Sequence, residues 1–248
     1  MTAWIKRGTE ESNLEPGFWR PRCFRYTSPP GNRPADCSHS VRRLAEHVFV
    51  SPLISDPGSY SYLLGLYLGD GWVGPSGRKA QLVIRLDSDY PAIIDACVAA
   101  VASALNGVRV AIYASRDQRC VGVTSYDVRW LEVFPQWGAG RKHERTIVLA
   151  EWQREIVDDF PEQFIRGLIH SDGCRCVNRF ETKLPSGRVA EYEYPRYFSS
   201  NLSADIRELF CEYCERLGIR WTQSNHRNIS VSHRRSVAIL DGFIGPKT

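Results

Sequence analysis

The chain repeats itself, and that repeat restricts the architectures open to it. Residues 61–71, SYLLGLYLGDG, and 162–173, EQFIRGLIHSDG, are short apolar helical segments that both end in a small residue, Asp and Gly. Each is followed by the same four residues, Pro75-Ser76-Gly77-Arg78 and Pro185-Ser186-Gly187-Arg188, so a hairpin is expected after each helix, the second one longer. An amphipathic helix comes next in both copies, over about 90–106 and about 203–217, closed by Gly107 and Gly218. Two short strands follow in each, 108–114 with 120–124 and 219–224 with 228–232. A third helix, about 126–134 and about 234–243, ends the unit.

The expected fold is α+β: two pseudo-symmetric αββαββα repeats, the first over 51–147 and the second over 161–248, joined by a connecting helix within 148–160. Residues 1–50 are rich in Arg, Pro, Gly and Ser, lack helical or strand periodicity and carry the breaker run 27–34, so a poorly ordered extension is expected there. With 248 residues, 43% of them hydrophobic, the chain can bury a core unaided. It has neither an apolar run of about 18 residues nor a signal-peptide pattern, and a cytoplasmic protein without a membrane partner is expected. The net charge is only +4, yet Arg outnumbers Lys 27 to 5, which supplies many planar donors for phosphates and base edges. Charge of this size does not by itself identify nucleic acid as the partner.

Eight cysteines include Cys174-x-Cys176 and Cys211-x-x-Cys214, a spacing that invites a four-thiolate zinc site. Against it, Cys211 and Cys214 fall in an expected helix and Cys176 shares a strand face with Phe180, as ordinary small packing residues do. No structural zinc is expected.

The two helix ends carry the chemistry. Gly65 and Gly69 are one helical turn apart, as are Gly167 and Ser171, so each helix has a small-residue stripe that lets two backbones approach. Packed together, the helices would set Asp70 beside Asp172. An acid at a helix C-terminus opposes the macrodipole by about 0.3–1 kcal/mol, and two adjacent carboxylates add repulsion. Both penalties vanish if the pair binds a divalent cation, and a hard oxygen site with open water positions suits Mg²⁺ or Mn²⁺. Such a site hydrolyses phosphodiesters. The plainer alternative is a pair of Asp-Gly turns that close two core helices.

Leu63–Gly71 and Ile165–Gly173 resemble the dodecapeptide motif of the LAGLIDADG homing endonucleases, and the repeat resembles a single-chain, two-copy member over about 59–248. The resemblance implies motif helices at the interface of the two halves, Asp70 and Asp172 as metal acids, and sheets forming a saddle over double-stranded DNA, acting as a monomer. The sixth motif position departs from an acid, being Leu68 in one copy and His170 in the other, and Arg166 stands at the second position of the second copy. His170 is read as a solvated helix residue in preference to a phosphate contact. Lys142 and Lys247 follow the third helix of their repeats, where the resemblance implies a basic residue near the attacking water or the scissile phosphate. A frayed penultimate residue is the other reading of Lys247.

The hairpins are the candidate DNA contacts, because a two-stranded ribbon fits the major groove. In the first, Leu82, Ile84 and Leu86 face the helices while Gln81, Val83 and Arg85 face out, with Arg78 and Lys79 at the tip. In the second, alternation sets Cys176, Phe180 and Thr182 against Arg175, Val177, Arg179, Glu181 and Lys183, and the latter set is read as the groove face. Arg188 and Arg196 extend it. The leading function is a site-specific, divalent-metal-dependent double-strand endonuclease. The alternative is a domesticated, non-cleaving DNA-binding protein or transcriptional regulator on the same saddle; a role in intron RNA splicing is a third possibility.

Overall fold

In the computed structural model, which describes residues 53–114 and 119–245, the first element is helix α1 (Pro57–Asp70). The expected N-terminal extension and Lys247 lie outside the described residues. Asp56 starts α1 by accepting from the Ser59 backbone N–H at 3.2 Å, and Pro57 takes the first turn, where its missing N–H leaves no bond unmade. Tyr60 through Leu68 are all buried. A helix apolar on every side has to be enclosed, and α1 is the central element of its half.

Strands β1 (Gly71–Ser76) and β2 (Lys79–Asp87), helix α2 (Pro91–Ala104), strands β3 (Val110–Ala114) and β4 (Cys120–Tyr126) and helix α3 (Trp130–Val133) complete the first repeat. Helix α4 (Glu151–Asp159) leads to α5 (Pro161–Asp172), and the order returns as β5 (Gly173–Lys183), β6 (Val189–Ser200), α6 (Ala204–Arg216), β7 (Thr222–Gln223), β8 (Asn228–Val231) and α7 (Arg234–Phe243). The fold is α+β with two four-stranded antiparallel sheets, ordered β1-β2-β4-β3 and β5-β6-β8-β7, the two-repeat architecture that the motif resemblance implied. Gly77 and Gly187, at φ +60 and +82, take the left-handed position in the two hairpin turns.

Two elements are shorter than their sequence spans suggested. The Asp127 carboxylate accepts from both the backbone N–H (3.0 Å) and the side-chain Nε (2.8 Å) of Arg129, a local turn that delays α3 until Trp130. After α6, the N–H of Ile219 bonds to Cys214 O at 2.8 Å and that of Gly218 to Glu215 O at 2.9 Å. Buried Ile219 thereby closes the helix instead of opening a strand, and β7 begins only at Thr222.

Buried side chains of α1, α2, α5, α6 and the inner sheet faces form a continuous core. Cys214 is fully buried within it. Among the described residues, no helix is long and apolar enough to cross a membrane.

Candidate active site

The geometry begins where two backbones touch. A Cβ on Gly65 would lie 2.5 Å from Phe164 O, 2.8 Å from Leu168 N and 2.9 Å from Gly167 Cα, and one on Gly167 would strike Tyr62 O. One turn further on, Gly69 faces the Ser171 side chain, and Asp172 Oδ2 is 3.0 Å from where a Gly69 Cβ would stand. Ser171 turns its hydroxyl back to the carbonyls of Gly167 (3.0 Å) and Leu168 (3.1 Å). The C-termini of α1 and α5 therefore lie side by side, with Asp70 and Asp172 as their last residues.

Lys142 comes to these ends from a single 3₁₀ turn, Lys142–Glu144. Its ammonium donates to the carbonyls of Leu68 and Gly69, at 3.1 Å each, and of Tyr67, and stands 4.8 Å from the centre of the Tyr67 ring. Tyr67 O also accepts from the Gly71 N–H, and all three carbonyls lie at the negative end of α1, so the cation caps the helix that bears Asp70. Burial pulls the Lys142 amine down to about 8; Asp172 and then Asp70 work against that, and Arg145 reinforces it. Both acids thus act on one ammonium.

Asp172 Oδ2 accepts from Asn201 Nδ2 at 2.5 Å. Asn201 is itself fixed, its side-chain oxygen accepting from Ser203 N–H (2.8 Å) and its own N–H reaching Arg227 O (3.0 Å). Asp172, Lys142 and Asn201 open with Trp72 onto a cleft of about 410 Å³. Asp70 lines a separate cavity of about 240 Å³ with Asp87, Tyr90, His170 and Ser171. Asn201 escaped the sequence reading because only the pairing of β6, with Ser199 opposite Gly173, returns the chain to the end of α5.

Asp70 and Asp172 are the carboxylates that would hold a divalent ion at these helix ends. Among the described residues no group of three or more His, Cys, Asp or Glu is poised to hold a metal. An ion bound by Asp70 and Asp172 would therefore complete its shell with water or phosphate oxygens, the habit of Mg²⁺.

His170 is not a solvated residue. It is 5% exposed, and its Nε2 lies 3.1 Å from Ile244 O, its Nδ1 2.8 Å from Tyr62 Oη. A carbonyl only accepts, so Nε2 carries the proton and Tyr62 donates to Nδ1. The α5 helix turns this position inward, where an imidazole bridges α1 to the end of α7.

The first hairpin keeps Leu82, Ile84 and Leu86 in the core; Arg85 is exposed and Gln81 partly so, with Arg78 and Lys79 exposed at the turn. The second hairpin is oriented opposite to the sequence-based reading of its faces. Arg175 pairs across the sheet with Tyr197, which is buried and donates to Asp241 at 2.6 Å, and the Arg175 guanidinium also holds Asp241 (2.8 and 3.1 Å). Its face is therefore the one toward α7, and Arg179, further along that strand, pairs with Glu193 at 3.1 Å. The outward face carries Cys174, Cys176, Phe180 and, from β6, Tyr192, Tyr194 and Arg196, the last lying 4.1 Å above the Phe198 ring. Lys183 and Arg188 flank the exposed turn.

No family model matches the chain, and no curated protein is similar to it in sequence. Among solved structures it is similar to full-length DUF199/WhiA from Thermatoga maritima, at 14% identity and TM-score 0.49 over 76% of this chain; the match spans only 55% of that protein's length. It is also similar to the LAGLIDADG meganuclease I-AabMI bound to uncleaved DNA, at 11% identity and TM-score 0.48, covering 76% of this chain and 84% of that one. A third is I-DmoI in complex with DNA and Mn, at 15% identity and TM-score 0.42, covering 77% of this chain and 98% of the other.

Proposed function

We propose that this protein is a site-specific double-stranded DNA endonuclease whose Asp70 and Asp172 hold a divalent metal, Mg²⁺ or Mn²⁺. The observation that carries the reading is the backbone contact of Gly65 on Gly167, which aligns two acid-terminated helix ends beside one partly buried lysine. Core packing alone has no need of acids at those ends, where the helix dipole disfavours them. When bound, the metal would activate a water and stabilise the leaving 3′ oxygen.

The chain's own groups then have distinct tasks. Lys142 offsets the negative end of α1 and supplies positive charge for a phosphate in the cleft. Asn201 fixes one oxygen of Asp172 and thereby the rotamer of that acid. Arg78, Lys79, Gln81 and Arg85 on one hairpin, with Arg188 and Arg196 on the other, contribute contacts to phosphates and base edges, while Arg179 and Lys183 lie on the face turned away from the duplex. Arg175, held by Asp241, orders the second sheet against α7. Lys247 is proposed as the counterpart of Lys142.

Cleavage of a randomised duplex library by the purified protein in Mg²⁺, with Asp70→Asn and Asp172→Asn alongside, tests the reading. The expected result is cutting at defined sites, abolished by either substitution while binding survives. Selective binding by the wild type without cutting would replace this reading with that of a non-cleaving DNA-binding protein.

A further inference from the structure

We infer that the outward face of the β5–β6 hairpin reads thymine 5-methyl groups in the major groove, so that the half-site beneath the second repeat depends on thymine. The inference rests on the DNA-binding part of the function proposed above.

Cross-strand pairing fixes which side chains share that face. Phe180 stands opposite Tyr192 and Asn178 opposite Tyr194. The three rings form a ladder, with centroids 5.5 Å apart for Phe180–Tyr192, 5.9 Å for Phe180–Tyr194 and 6.1 Å for Tyr192–Tyr194. Nothing in the core covers it: Phe180 is 44% exposed and Tyr194 40%. Aromatic rings left in water on a projecting hairpin lose the burial that ordinarily stabilises them, and such a patch marks a contact surface.

Charge chooses the occupant. The opposite face places Glu181 directly across from Glu191 and holds Glu193 beside Arg179, so its acids offset Arg175, Arg179 and Lys183 and it offers phosphates no net positive charge. The aromatic face carries no acid and continues into Arg196, so a duplex lies against the rings. The ring faces themselves are apolar, with polar groups only at Asn178 and the Tyr192 and Tyr194 hydroxyls. The one apolar group that the major groove displays is the thymine methyl. The outward face of the first sheet mixes the hydrogen-bonding Lys79, Gln81 and Arg85 with exposed Trp72, Tyr113 and Tyr126.

The experiment uses the full-length protein with divalent metal chelated, and duplexes recovered by selection for binding from a randomised library. Replacing thymine by uracil removes only the methyl group. In the half of the recovered site beneath the second repeat this is expected to weaken binding about three- to fourfold per thymine, the scale of one lost methyl burial. Phe180→Ser and Tyr194→Ala, at exposed positions, are expected to lower affinity for the thymine duplex to that for the uracil duplex, erasing the difference. Equal affinity for the two duplexes in both halves overturns the inference, as does a thymine preference that persists in both variants. Tighter binding to single strands than to duplex, lost in Phe180→Ser, would make the ladder a stacking platform for unpaired bases and overturn it too. Failure to bind any duplex selectively would instead overturn the DNA reading itself.

Discussion

Substituting Gly65 by alanine adds one methyl group where the two repeats meet. Its Cβ would stand 2.5 Å from Phe164 O and 2.8 Å from Leu168 N, both backbone atoms of α5. Ordinary contact begins near 3.4 Å, so the helices have to part by about 1 Å, a gap that forfeits a quarter to a half of the dispersion energy of each contact along the seam. Overpacking of this kind costs about 1–3 kcal/mol, and the seam loss adds to it. Alanine's better helix propensity returns about 1 kcal/mol, so overpacking leaves a net loss of up to about 2 kcal/mol, to which the seam loss is added. For a chain of this size the overpacking part alone is a fall in Tm of up to about 8 °C. Gly242 in α7 is the internal control: a Cβ there meets nothing within 4 Å, and Gly242→Ala is expected to stabilise by about 0.5–1 kcal/mol. Urea denaturation and thermal melts of both variants measure the contrast. A Gly65→Ala protein as stable as wild type would refute the claim that direct backbone contact sets the interface.

Three further outcomes follow from the same geometry. Tyr62→Phe removes the donor to buried His170 Nδ1 and is expected to destabilise by about 1–3 kcal/mol in urea denaturation, because an acceptor is left unpaired in the core. Lys142→Met strips the donor from three carbonyls at the end of α1; a loss of about 1–3 kcal/mol is expected in the same assay, with cleavage lost as well, and an unchanged denaturation midpoint would contradict the capping role. Arg175, and after it Tyr197, hold the Asp241 carboxyl below its ordinary 3.8, so its contribution is present above that pH and is lost as pH falls through the lower folded value. Acid titration of stability should accordingly be shallower in Asp241→Asn than in wild type below about pH 4, and identical slopes would discount the Arg175–Asp241–Tyr197 cluster.

What the amino-acid sequence determined by itself was everything carried by local pattern. Two apolar segments ending in Asp-Gly, the repeated Pro-Ser-Gly-Arg turns and the glycines after the second helices place the elements, because caps, turns and periodicity are settled within a few residues. The small-residue stripes of Gly65, Gly69, Gly167 and Ser171 were legible for the same reason. What tertiary structure decided was register and depth. On the second hairpin the alternation is visible in sequence, but which of its faces looks inward is fixed by Tyr197 and Ser199, both buried and paired with Arg175 and Gly173 from the opposite strand. Phe180, read locally as an inward residue, lies beyond the reach of the core and turns outward. His170 was ambiguous on its own helix, and it became a buried bridge only because Tyr62 and Ile244 arrive from distant segments. Asn201 likewise joins Asp172 through strand pairing alone. A strand slipped by one residue exchanges all its faces, so the surface presented to a partner is a property of long-range pairing that no local window of sequence contains.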